Sequence, residues 1–166
     1  GDATVQARFE LGSTAPGMLL ANLVTRVYEE SGDFSIDADR MLYSPYRRYA
    51  GIKSPQKEKE QLNTGANYTY EVASVDYLGK PQANTELDVK VYKVYWHWWW
   101  DSNSSGLANY VSDSYNKPVK TFAVRTDGDG RGTFQLSFPD TEWGTYFISV
   151  KVKESKHSTG VMGYFA

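Results

Sequence analysis

The 166-residue chain has no cysteine and only two histidines, His97 and His157, far apart in sequence. Without cysteine there is no disulfide, no thiolate nucleophile and no Cys-based zinc site. Two distant histidines exclude a His-rich metal site. The missing disulfides speak against a small secreted animal domain and leave a bacterial periplasmic or surface protein open. No run approaches the roughly 18 apolar residues that a membrane-spanning helix needs. The N-terminus has neither the basic start nor the apolar run of a signal peptide. Charge of one sign is also lacking: the net charge is −2, with no basic stripe. A nucleic-acid partner is disfavoured, because affinity there is built on clustered Lys and Arg. The start at Gly1, without Met, reads as a remnant of tag removal from a longer chain.

What is present is ordinary in polarity and unusual in aromatics. Apolar residues are 40% and charged residues 23%, as in globular domains. Aromatics reach 15%, with 13 Tyr, 7 Phe and 5 Trp. These residues favour half-buried pleated surfaces, so composition leans toward β structure. The length fits one large domain, or one complete domain and part of another.

Alternation of period two recurs along the chain, and long helical periods do not. It runs through residues 4–10, through Phe34 to Asp37, and through 18–29, where Val24, Thr25 and Val27 favour a strand over a short helix. Residues 43–65 change character, with Ser44-Pro45, Ser54-Pro55 and the charged run Lys57-Glu58-Lys59-Glu60. They read as a boundary. Beyond it, strands are expected at Tyr68–Ala73, Leu87 to about Trp100, 119–126, Phe134–Phe138, Tyr146–Val152 and Gly160–Phe165, with turns between. Val89 and Val91 have one parity, and Val94, Trp96 and Trp98 the other. That predicts a bulge near Tyr92–Lys93. Strands at this spacing predict an antiparallel β-sandwich of the immunoglobulin-like kind. The organisation expected is a partial β domain over 1–53, a linker over 54–64 and a complete sandwich over 65–166.

Few constellations suggest chemistry. Asp127-Gly128-Asp129-Gly130-Arg131-Gly132 looks like a calcium loop, but Arg131 and Phe138 stand where two oxygen ligands are required. A hairpin turn explains it better. No Gly-x-Ser-x-Gly elbow is present, the glycines open no helix, and the carboxylates are scattered. No catalytic, cofactor-binding or metal-ligating residue is assigned, and no cofactor is expected. Asn67-Tyr68-Thr69 and Asn103-Ser104-Ser105 match the glycosylation sequon, which matters only in a eukaryotic secretory pathway. The distinctive run is Tyr95-Trp96-His97-Trp98-Trp99-Trp100. On a strand, Trp96, Trp98 and Trp100 share one face, while Tyr95, His97 and Trp99 share the other. Tyr95, Trp96, Trp98, Trp99 and Trp100 are therefore the candidate contact aromatics. Trp96 and Trp98 are expected to pack inward with Val94, Phe134 and Leu136, and Trp99 to lie against the first unit or at a surface meant for another domain. Stacking on sugar rings is the competing reading.

The stretch from Tyr92 to Asp101 resembles a segment of the bacterial α2-macroglobulins. Val75-Asp76-Tyr77-Leu78-Gly79-Lys80-Pro81 is similar to that family's VD-x-x-GKP hairpin, Thr126-Asp127 to Gly130 and Phe134 to its TD-x-x-G hairpin, and Trp143-Gly144-Thr145-Tyr146 to its WG-x-Y strand opening. Phe34 to Asp37, Tyr43-Ser44-Pro45-Tyr46 and Gly51-Ile52-Lys53 are similar to the stretch before it. The resemblance implies tandem macroglobulin-type sandwiches near the bait region of a large exported protein. Such a protein sits in the periplasm or at the cell surface, anchored by lipidation, and traps proteases by conformational change after bait cleavage. The partners implied are neighbouring domains of the same chain and, through the whole protein, target proteases. Nucleic acid and direct membrane contact are not implied. The family's thioester needs a cysteine and cannot lie in this segment. A glycan- or surface-binding sandwich using the Trp run, and an accessory domain beside a catalytic module, are the alternatives.

Overall fold

A computed structural model describes residues 4–8, 15–55, 60–95 and 117–166. All named strands pair antiparallel, and the chain divides into two compact units, Gly1–Arg47 and Arg48–Ala166.

The first unit is built on one hairpin. Strand β1 (Leu19–Tyr28) pairs with β2 (Phe34–Tyr43) from Leu19↔Tyr43 to Tyr28↔Phe34. The turn closes with the Glu29 amide donating to Asp33 O at 2.8 Å, and the Tyr28 and Phe34 rings meet at 5.4 Å. The alternation in residues 4–8 does not become a strand, and β2 is longer than its alternating start implied.

The second unit is a sandwich of seven strands: β3 (Arg48–Lys53), β4 (Tyr68–Asp76), β5 (Glu86–Val94), β6 (Lys120–Arg125), β7 (Arg131–Leu136), β8 (Gly144–Val152) and β9 (Ser158–Phe165). One sheet runs β3-β4-β7 and the other β6-β5-β8-β9. The chain changes sheets after β4, after β6 and after β7, the Greek-key habit of immunoglobulin-like sandwiches. Alternation sets the interior. Tyr70 and Val72 from β4 and Phe134 and Leu136 from β7 face Leu87, Val89 and Val91 from β5 and Tyr146, Ile148, Val150 and Val152 from β8, all buried. Much of the aromatic content is here. Tyr70 stacks on Phe134 at 5.3 Å, Phe138 on Tyr146 at 3.8 Å, and Phe165 meets Phe138 edge-on at 4.8 Å.

The division falls at Arg47, ahead of β3, and not across 54–64. β3 pairs with β4 from Arg48↔Asp76 to Lys53↔Glu71, so residues 48–53 open the sandwich. Leu62 is in its core at 4% exposure. The Leu62 amide donates to Tyr164 O at 2.9 Å, and the Ala166 amide donates to Leu62 O at 2.8 Å. Pro and charge mark a long hairpin connection as readily as a linker.

The two crossovers at one end share a turn. Asp76 Oδ1 accepts from the Leu78 and Lys80 amides, both at 2.9 Å. Asp127 Oδ1 accepts from the Asp129 and Arg131 amides, both at 2.9 Å. In each, the glycine three residues on has positive φ: Gly79 at 79° and Gly130 at 70°. The carboxylate satisfies donors that the turn would otherwise leave open. Gly130 is constrained twice, because a Cβ there would lie 2.7 Å from the Gln82 nitrogen and 2.8 Å from Ser74 O. Gly128 has nothing within 4 Å. Gly130→Ala is therefore expected to destabilise the chain by about 2–4 kcal/mol, and Gly128→Ala to stay within about 0.5 kcal/mol. Urea denaturation of both variants checks this.

Candidate functional site

The run singled out in the sequence begins where β5 ends. Tyr95 follows Val94 and is 53% exposed. Trp96, Trp98, Trp99 and Trp100 lie outside the described residues. The register around their expected neighbours is described and corrects the reading. β5 pairs with β8 without interruption from Leu87↔Val152 to Val94↔Thr145, so there is no bulge at Tyr92–Lys93. Val94 keeps the parity of Tyr92 and faces outward, whereas Phe134 and Leu136 are interior. The outer side of this sheet is apolar in part. There Tyr92 and Phe147 stack at 6.5 Å. A Cβ at Gly160 would sit 2.5 Å from the Phe147 ring, so glycine lets that ring lie against β9. Met162, opposite Phe147, and Tyr164, opposite Thr145, are 41% and 37% exposed.

Trp143, which the sequence reading did not single out as a contact residue, is 63% exposed. It ends the 3-10 turn Asp140–Glu142, just before Gly144 opens β8. An exposed tryptophan beside a turn carries no periodicity, so alternation could not flag it. Behind it the chain is rigidly held. The Tyr146 hydroxyl donates to Glu142 O at 2.7 Å, the tyrosine-corner geometry of immunoglobulin-like sandwiches. Lys93 Nζ lies 5.6 Å over the Tyr146 ring. Burial, and then the Glu142 carboxylate and Tyr95, push the Tyr146 hydroxyl up to about 12. Burial also takes Tyr70 up to about 12, partly offset by the Ser54 hydroxyl.

The opposite end is charged. A cleft is lined by Arg48, Asn84, Glu86, Arg125, Lys153 and Glu154. Glu86 pairs with both Arg125 and Lys153, and Arg48 with Glu154 at 2.9 Å. Lys153 first and Arg125 second hold the Glu86 carboxyl below the usual carboxylate range. Pairs this exposed are largely screened by solvent and contribute little to stability. The calcium-like loop is a turn: Asp127 Oδ1 accepts two backbone amides, and Phe138, at the twelfth position, is 1% exposed in the core. Among the described residues no three of His, Cys, Asp and Glu gather to hold a metal ion, and no helix is long and apolar enough to cross a membrane. The arrangement supplies contact surfaces at its two ends and along the outer face of the four-stranded sheet.

The corner generates a test. Tyr146→Phe removes a partly buried hydrogen bond and is expected to cost about 1 kcal/mol at neutral pH. The folded chain keeps the Tyr70 and Tyr146 protons that the unfolded chain releases near pH 10.0. Stability is thus full below that pH and falls as pH rises toward 12. Denaturation between these limits should show a shallower fall in Tyr146→Phe than in the parent.

Comparison with known proteins bears on the same residues. The family model described as bacterial macroglobulin domain 6 matches residues 51–165. A search of curated proteins returns no match. Among solved structures, the native conformation of E. coli alpha-2-macroglobulin superposes with a TM-score of 0.53 at 16% identity, over 90% of this chain and 10% of that one. Salmonella alpha-2-macroglobulin reacted with methylamine superposes with a TM-score of 0.53 at 15% identity, over 92% and 10%. The chain thus spans about a tenth of the length of those two proteins, and at such identity the likeness speaks for the fold. With the family model covering most of the sandwich, the chain belongs to the bacterial macroglobulin domain 6 family of the bacterial alpha-2-macroglobulins.

Proposed function

We propose that the chain is a non-catalytic scaffold segment of a bacterial α2-macroglobulin that inhibits proteases by enclosing them after a conformational change. The family match over residues 51–165 carries this reading. Its physical support is a sandwich whose inward faces are filled by side chains of both sheets, an element suited to transmitting position. The parent, in this reading, is exported to the periplasm or cell surface and anchored by lipidation. A trap hinders large substrates more than small ones. The parent protein, incubated with a serine protease, should therefore suppress cleavage of a large protein substrate while cleavage of a short chromogenic peptide continues. The 166-residue chain by itself should suppress neither. Equal inhibition of both substrates by the parent would point to an active-site inhibitor and overturn the trap.

The unit Gly1–Arg47 is, in the same proposal, the closing part of a preceding macroglobulin-like domain. Its hairpin exposes Leu20, Val24, Tyr28, Phe34, Ile36 and Leu42, each more than half exposed. These share one face by the β1–β2 register. Asn22, Arg26 and Arg40 interrupt that face, but a lone two-stranded hairpin is marginal in water, and so many exposed apolar side chains on it signal a missing neighbour. The aromatics Tyr95, Trp96, Trp98, Trp99 and Trp100 are read likewise as contacts to neighbouring domains, with glycan stacking as the alternative. Hydrogen exchange compared between this chain and the longer parent tests both. Protection of β1–β2 and of the peptide spanning residues 95–100 should rise about tenfold or more in the parent. No gain at β1–β2 would refute the partial-domain reading. No gain at 95–100 would promote the glycan reading.

A further inference from the structure

A buried histidine lies away from the charged cleft and from the outer apolar face of the four-stranded sheet. His157 is 7% exposed and sits in the turn between β8 and β9. Its Nδ1 accepts the Ala50 amide proton at 3.0 Å, and its ring packs against Tyr49 at 4.7 Å. The Ser155 hydroxyl donates to Arg48 O at 2.6 Å, and Glu154 pairs with Arg48. One turn thus grips the first three residues of β3 from the strand edge that faces away from β4. β3 packs against both β8 and β9, yet it is hydrogen-bonded in its own sheet to β4 alone. This turn is what ties its outer edge to the opposite sheet.

We propose that His157 is a proton-operated latch on the first strand of the sandwich: proton uptake at Nδ1 replaces its acceptor lone pair by an N–H, breaks the bond to the Ala50 amide, and loosens the hold of the β8–β9 turn on β3 at Ala50, while the Ser155 and Glu154 contacts to Arg48 remain. The chemistry is fixed by the geometry. The imidazolium has donors at both nitrogens and no acceptor, so the charged ring and the Ala50 N–H cannot face one another. No proton moves elsewhere; it comes from solvent and binds the ring. The charged and titratable groups on the surrounding elements are Arg48 and Tyr49 on β3, Asp76 opposite Arg48 on β4, Lys151 on β8, and Lys153, Glu154 and Lys156 on the turn. Cations outnumber carboxylates there, and Glu154 is taken by Arg48. Burial holds the ring below the ordinary histidine value of 6.5. The sign follows: the folded ring takes up its proton only at a pH below the unfolded value of 6.5, so the latch is closed at neutral pH and opens as pH falls through the lowered folded value.

The test is amide exchange of the full 166-residue chain by NMR, corrected for intrinsic rates. Ala50 protection should fall about tenfold or more between about pH 7.5 and 5, while Ile148 in the core stays unchanged. His157→Asn keeps an acceptor near the Nδ1 position and cannot titrate, so its Ala50 protection should be flat with pH. A flat wild-type profile, or the same fall in His157→Asn, would overturn the latch. If that variant does not fold, the wild-type ring decides. The 15N shifts of His157 and the Ala50 amide shift should titrate with one midpoint below 6.5, the ordinary value, and two separate midpoints would overturn the proposal.

Discussion

The sandwich depends on how two crossovers lock into one another beside Ser74. At that point the β4–β7 ladder ends, with Ala73 opposite Arg131. The Ser74 amide donates to Gly130 O at 2.9 Å, and Ser74 O accepts the Gln82 amide at 2.8 Å. The connection from β4 to β5 and the connection from β6 to β7 are thereby joined through one residue. Thr126 completes the joint: its hydroxyl donates to Gln82 O at 2.7 Å and accepts the Thr85 amide at 2.9 Å. Buried backbone groups must be paired wherever a chain leaves a sheet, and here each crossover pairs the other's. The arrangement fixes β5 and β6 over β4 and β7 before any core side chain is considered.

The other end of the sandwich is fixed by rings. Phe138, Tyr146, Phe165 and Tyr68 form a chain of contacts across both sheets, and Tyr146 also ties the β7–β8 corner through Glu142. Aromatic pairs add about 0.5–1.5 kcal/mol beyond their burial, so this end is anchored by packing where the first is anchored by hydrogen bonds. The contrast with the first unit is physical. There, β1 and β2 bury almost nothing among the described residues, and their apolar face has the pattern of a sheet awaiting a second layer. The two units thus differ in how far each is filled: the sandwich is packed from both sheets, and the hairpin is not.

The sequence by itself determined the fold class and most strands of the second unit, because period-two alternation is a direct record of which face each side chain takes. It also marked the two Asp-x-x-Gly turns, whose local hydrogen bonds need no distant partner. The tertiary structure alone decided that residues 48–53 belong to the sandwich. That strand is short, and its assignment rests on pairing with β4 and on contacts from His157 and Ser155, more than a hundred positions away. It also decided that Val94 lies on the outer face of an unbroken β5, since alternation cannot distinguish a bulge from a sheet that is apolar on both sides. For the same reason the exposure of Trp143 and the burial of Leu62 were illegible: neither lies in a periodic run, and burial outside such runs is set by what the rest of the chain brings alongside.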